Sequence, residues 1–359
     1  MTSPNLVGMK FASRYTVGPR VAGGHFSDVF EATDEDTGDL MAIKVLHPGA
    51  TPDAIKEFEI EGQLLNRLVP ASNVVNIHDT GQHLESVTMK TTGASLDLVI
   101  RFHVLELADA CLTELLIDLP ALSWPDRLDL YRGVVKGAHQ THLGHVLNRD
   151  YKSENVLLFS HGKTAEAKVS DYGRGRLMTA PARLSTDDYI SGRGDRRFAP
   201  PELLFCLADP TPQGWLRAEL YLLGSVLYEV ATGVGITSTA IPNTLALIQQ
   251  FSGMGPGKRD LAFLRALPVL RARYELAFLI FEASVPSSIR AEADRLLRGL
   301  CDPEPTRRAI AGGSAMQQDG LQWILNRVDI LRLTLSHANK QAAALAAKKL
   351  QRRERKEQQ

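Results

Sequence analysis

The chain has 359 residues, 44% of them hydrophobic, enough to bury a core of two lobes or domains. Its 41 basic and 41 acidic residues cancel, so no global field draws it to nucleic acid or anionic membrane, and any such attraction must be local. Three widely spaced cysteines, Cys111, Cys206 and Cys301, argue against a disulfide framework or a zinc site and fit reduced thiols of a cytoplasmic protein. The first 14 residues carry no signal pattern, and no apolar run approaches the roughly 18 residues a membrane helix needs.

Strand-like runs dominate from Tyr15 to Glu106. The stretch Val21-Ala22-Gly23-Gly24-His25-Phe26-Ser27-Asp28-Val29-Phe30 reads as strand, tight turn and strand. Met41-Ala42-Ile43-Lys44-Val45-Leu46 reads as a buried strand carrying a lone cation, and an isolated lysine there must find a partner or suffer heavy desolvation. In the helical segment Asp53 to Leu68, Phe58, Glu61, Leu64, Leu65 and Leu68 share one face, so Glu61 points inward, whereas Glu57 and Glu59 suit the solvated side. A strand at Leu98 to Leu105 then runs into a polar loop.

Helical periodicity takes over downstream, at Pro125 to His142, Leu220 to Thr232, Asn243 to Phe251, Leu261 to Ala283 and Ser288 to Cys301. The Gly-rich break Gly253 to Lys258 reads as a loop, and Gly312-Gly313-Ser314 as a linker. A long helix follows, in which Leu321, Ile324, Val328, Leu331, Leu335, Ala338, Ala342 and Leu345 recur at spacings of three and four, as in a coiled-coil seam. Because Trp323, Leu325, Ile330 and Leu333 widen the apolar face, packing on the preceding helices up to about Leu335 is expected in place of dimerisation. The last stretch carries Lys348, Lys349, Arg352, Arg353, Arg355 and Lys356. It reads as a solvated helix end, with a basic handle for an acidic partner, a membrane surface or nucleic acid as the alternative.

Two short motifs lie between the first two of those helices: Asn148-Arg149-Asp150-Tyr151-Lys152-Ser153-Glu154-Asn155 and Lys168-Val169-Ser170-Asp171-Tyr172-Gly173. They resemble the catalytic loop, H-R-D-x-K-x-x-N, and the metal-binding triplet, D-F-G, of eukaryotic-type Ser/Thr protein kinases. The resemblance implies that Asp150 receives the substrate hydroxyl proton, Lys152 steadies the transferred phosphoryl, and Asn155 and Asp171 hold magnesium. Asn148 stands where the family has His, and Tyr172 where it has Phe.

The upstream segments extend the resemblance. The turn at Gly23 and Gly24 looks like the glycine-rich loop over ATP, with Val21 and Val29 beside it and Ala22 and Ser27 in place of the family's first and third glycines. Lys44 and Glu61 look like the ion pair whose Lys reaches the α- and β-phosphates. Ala42, Leu105 as gatekeeper, the backbone of Glu106 and Ala108, and Leu157 would enclose adenine. Phe198-Ala199-Pro200-Pro201-Glu202 looks like the end of the activation segment, with Arg308 as the partner of Glu202. Glu219 replaces the Asp that braces the catalytic loop, and its extra methylene puts that brace in question.

The expected fold is therefore α+β and bilobal, a protein-kinase-like fold with a helical extension. Residues 1–14 precede the kinase domain at 15–311, whose lobes meet near 106, and 312–359 form the extension with its basic tail. The function the resemblance implies is transfer of the ATP γ-phosphoryl, with Mg2+, to Ser or Thr hydroxyls of proteins, the chain itself among them. Lys152 suits the Ser/Thr form of the loop, whereas Asp195 stands where Ser/Thr kinases commonly carry Thr. Thr186, and after it Ser185, are the expected sites of an activating phosphate that docks on Arg149. Asp187, Asp188 or Asp195 would be built-in substitutes for that phosphate. The departures Ala22, Ser27, Asn148, Asp195 and Glu219 define the alternative, a pseudokinase that signals by binding.

Overall fold

A computed structural model describes residues 6–24, 26–88, 95–162, 164–179, 194–207, 209, 211–308 and 320–357. The upper lobe is built from β1 (Lys10–Phe11), β2 (Tyr15–Gly23), β3 (Ser27–Asp34), β4 (Leu40–Leu46), α1 (Pro52–Leu68), β5 (Ile77–Thr88) and β6 (Ser95–Glu106). Its strands form one antiparallel sheet in the order β1-β2-β3-β4-β6-β5.

Alternation along the strands sorts this sheet into two faces. Phe30, Ile43, Val45, Phe102 and Val104 pack with Phe11, Tyr15 and Val17 on one side. Their neighbours Val29, Ala42 and Leu105 turn the other way and join the main core. Lys44 and His103 share that second face, each bonded to α1, through Glu61 and the Phe58 carbonyl respectively. Helix α1 starts where Pro52 fills its first turn and the Thr51 hydroxyl accepts from the Ala54 N–H at 3.3 Å, which satisfies donors a helix cannot bond internally.

The rest of the chain comprises β7 (Ala110–Cys111), α2 (Leu112–Ile117), α3 (Trp124–Leu143), β8 (Val146–Leu147), β9 (Val156–His161), β10 (Thr164–Val169) and β11 (Arg176–Leu177). The helices α4 (Pro201–Leu204), α5 (Pro212–Thr232), α6 (Ile236–Ala240), α7 (Thr244–Ser252), α8 (Pro256–Ser284), α9 (Arg290–Leu300) and α10 (Gln322–Glu357) follow. The lower lobe is assembled around α5, in which every side chain from Ala218 to Ala231 is buried. Helix α3 lies beside it and passes so close to the Asn73 carbonyl that a Cβ on Gly137 would sit 2.3 Å from that oxygen. Gly233, at φ +84°, ends α5 in the left-handed region that suits glycine.

Two helix starts differ from the sequence-based expectation by more than a turn. Helix α5 begins at Pro212, two turns before the apolar run at Leu220, because Thr211 caps it by accepting from the Gly214 N–H and proline tolerates the first turn. Helix α8 begins at Pro256, so Pro256, Gly257 and Lys258, expected in a loop, form its first turn; Gly255 precedes it without a side-chain cap, and proline tolerates the first position.

Helix α10 packs on the lower lobe. Leu321, Ile324, Leu325, Val328, Leu331 and Leu335 are buried, and Arg132 of α3 grips Asp329 at 2.6 Å. Beyond Leu335 the described side chains are exposed apart from half-buried Ala338. Of the four residues expected to widen the face, Trp323 and Leu325 do so, while Ile330 and Leu333 face solvent.

Candidate active site

Two pairs of strands bracket the loops that carry the motifs. The first loop, 148–155, runs from β8 to β9, and the second, 170–175, from β10 to β11; β9 pairs with β10 and β8 with β11. Both loops are thus pinned at both ends, and their side chains open into one cavity of about 340 Å³ under the turn between β2 and β3. Lys44, Glu61, Asp150, Lys152, Asn155 and Asp171 all line it, together with Gly24.

Lys44 Nζ bonds both carboxylate oxygens of Glu61 at 2.7 Å and lies 3.8 Å from Asp171 Oδ1. Burial works against the Lys44 charge, but Asp171 and Glu61 outweigh it and keep the ammonium protonated. Burial pushes the Glu61 carboxyl up, opposed by Lys44. The Asp171 carboxyl is held below its usual range, chiefly by Lys44. A cation is therefore fixed between two carboxylates on the wall of the cavity, a placement suited to charge-assisted bonds with an anion.

Asp150 Oδ2 accepts from Asn155 Nδ2 at 2.9 Å and lies 2.9 Å from Lys152 Nζ. Burial disfavours the Lys152 charge, yet Asp150 overrides it and raises the pKa. Among the described residues no three His, Cys, Asp or Glu side chains form a metal cage. Asn155 and Asp171, the two residues the resemblance assigns to metal, both line the cavity.

The residues expected around adenine form a separate, apolar wall. Ala42 and Leu105 face each other across the β4–β6 ladder, and half-buried Val29 and Leu157 pack on the same core. Gly23 and Val21 lie on the exposed end of β2, and the Gly24 N–H closes the turn on the Ser27 carbonyl at 2.7 Å. The strand-to-loop passage at Glu106 is anchored by its side chain, which accepts from the Asn76 N–H and from Lys168 at 2.8 and 2.7 Å. Ala108 follows just after β6.

Bracing comes from below. Glu219 Oε1 accepts from the Arg149 N–H at 2.8 Å while its other oxygen is bonded to His142, so the longer side chain still reaches the catalytic loop. It holds Arg149 at φ +69°, a conformation costly for a residue with a Cβ. Asn148 links the two motifs, donating to the Asp171 carbonyl at 3.1 Å and accepting from the Asp150 N–H at 3.0 Å. The carboxylate of Glu202 and the buried Arg308 form a two-pronged pair, each contact 2.7 Å. Asp195 is taken up by Arg197, whose Nε lies 3.0 Å from both of its oxygens. Ser185, Thr186, Asp187 and Asp188 lie outside the described residues.

Three site features were not read from the sequence. Arg174 places NH1 3.4 Å from Asp150 Oδ1. Glu57, expected in solvent, is half-buried and lines the cavity; its i, i+4 relation to Glu61 puts it on the same side of α1. Glu229 of α5 is buried and accepts from the Ser153 hydroxyl at 2.6 Å, and burial raises its pKa to about 7.

A bilobal fold whose cleft brings a paired lysine, a lysine-flanked aspartate and an Asn/Asp pair together defines a phosphotransferase class. The model of the protein kinase domain family matches residues 15–319, and the chain belongs to that family. It is 30% identical over 220 residues to the leucine-rich repeat receptor protein kinase MSP1 of Oryza sativa subsp. japonica, across 59% of this chain and 15% of that protein. It is 25% identical over 231 residues to a probable serine/threonine-protein kinase, PknB, of Lactococcus lactis, across 63% and 33%. A 25% identity over 198 residues links it to cyclin-dependent kinase D-1 of Arabidopsis thaliana, across 55% and 44%. The chain therefore spans less than half the length of each of these relatives. Members of the family generally use ATP and Mg2+, and no helix among the described residues is long and apolar enough to cross a membrane.

Proposed function

We propose that this chain transfers the γ-phosphoryl of ATP to Ser or Thr hydroxyls of proteins, itself included. The observation that carries this reading is the convergence of Lys44, Glu61, Asp150, Lys152, Asn155 and Asp171 on one cavity. In that role Asp150 orients the hydroxyl and takes its proton as the new O–P bond forms and the bond to the ADP oxygen breaks. Lys152, beside Asp150, steadies the moving phosphoryl, and Lys44, fixed by Glu61, holds the phosphates that stay with ADP. Asn155 and Asp171 would hold magnesium, which when bound neutralises phosphate charge. The turn at Gly23 and Gly24 covers the phosphates. Val21, Val29, Ala42, Leu105 and Leu157, with the backbone of Glu106 and Ala108, enclose adenine.

The test is incubation of the purified chain with labelled ATP and Mg2+ and location of the label on Ser or Thr. Asp171→Ala should abolish transfer and leave thermal melting within a few degrees of the parent, since it removes a ligand from the rim of a preformed site. Undiminished labelling by this variant would falsify the reading. A second reading, a binding module, is favoured by the occupation of Asp150 Oδ1 by Arg174; it predicts nucleotide binding without transfer.

A further inference from the structure

A second cavity, of about 540 Å³, opens beside the catalytic loop. Lys152 lines both cavities, so the two adjoin at the residue that bonds Asp150. The cations along its wall are not equivalent. Lys152 is engaged with Asp150 at 2.9 Å. Arg197 is engaged with Asp195 and Glu154. Arg196, half-buried, makes no hydrogen bond or ion pair among the described residues. Among the described residues the one carboxylate on the wall is Asp195, held by the Arg197 side chain and by the Arg197 N–H at 2.9 Å, and Ser238, Ile241 and Thr244 of the lining are uncharged. A guanidinium left uncompensated in a concave, half-buried wall favours an anion that can meet its fork of donors.

We propose that Arg196 selects protein substrates that carry an acidic side chain, carboxylate or phosphate, close in sequence to the acceptor hydroxyl. The proposal rests on the phosphotransfer reading and names the substrate class of that site. The flanking position that meets Arg196 is found by testing each in turn.

The full chain is assayed with Mg·ATP on serine peptides in which each flanking position in turn is Ala, Glu, phosphoserine or Lys. The same peptides, with the acceptor Ser replaced by Ala and a fluorescein label added, are followed by fluorescence anisotropy. At one flanking position Glu or phosphoserine should raise kcat/KM over Ala by about fivefold, the scale of a half-exposed ion pair. A larger gain with phosphoserine than with Glu identifies phosphate as the anion. Arg196→Ala should bring the ratio near one, and Arg196→Glu should turn the preference toward Lys. A parent without preference at any position overturns the proposal, as does an Arg196→Glu chain that keeps the parent's preference. If the parent labels no peptide at all, the phosphotransfer reading fails by itself, and the anisotropy series still decides the role of Arg196.

Discussion

Asp150 has two carboxylate oxygens and three internal partners. Lys152 and Asn155 share Oδ2 at 2.9 Å, and among the described residues Arg174 alone faces Oδ1, at 3.4 Å. An incoming hydroxyl therefore has to bond at Oδ1 in competition with Arg174. The contact is long and single, so it is worth about 1 kcal/mol or less. Arg174→Ala should raise kcat/KM for a protein substrate about two- to fivefold with little change in KM for ATP; a comparable fall would instead assign Arg174 to charge neutralisation at the phosphoryl. The sequence announces Lys44, Asp150, Lys152, Asn155 and Asp171 because each sits in a contiguous motif. Arg174 is silent because its partner lies on another loop, 24 residues away, and no periodicity connects two loops. Glu57 was legible in principle through its spacing to Glu61.

Helix α5 acts on the catalytic loop at two heights, through Glu219 on the Arg149 backbone and Glu229 on Ser153. Its core half was legible from the apolar run, and its first two turns were not, because Gln213, Gly214 and Arg217 dilute the pattern; the Thr-Pro start at 211–212 was the available signal. The run Met41 to Leu46 announced a buried strand with a lone cation, and its two faces, with Lys44 and Ala42 on the inner one, became visible only in the sheet. Glu229 makes a prediction of its own. Below about pH 4.5 its carboxyl is protonated in folded and unfolded chains alike, and between there and about pH 7 only the folded chain keeps the proton. Stability from this group is thus full at low pH, falls as pH rises through that window and stays at the lower level above it. Glu229→Gln keeps an acceptor for Ser153 and removes the buried charge. Denaturant unfolding should find it more stable than the parent by about 1–3 kcal/mol at pH 8 and nearly equal at pH 4; equal differences at both pH values would discount the titration.

At the scale of the whole molecule, α10 divides into a packed half and an exposed half, and the two should behave differently on removal. The buried residues from Leu321 to Leu335 cover α3 and α9, where Arg132 and Asp129 bond Asp329 and Arg332, and the Leu321 N–H donates to His139 Nδ1 at 3.0 Å. Each fully buried aliphatic side chain stabilises by about 1.5–3 kcal/mol as an upper bound, so together these residues rival the net stability of an ordinary domain. Residues 346–351 are exposed, and deleting 346–359 should leave both the melting temperature and peptide phosphorylation unchanged. Deleting from Leu321 bares a contiguous apolar strip on α3 and α9 and should lower melting by many degrees, with aggregation. Light scattering across both truncations provides the cross-check. If the longer deletion melts like the parent and converts a dimer to a monomer, the seam at Leu321 to Leu345 serves pairing between chains, and the packing seen here is not what holds the lower lobe together.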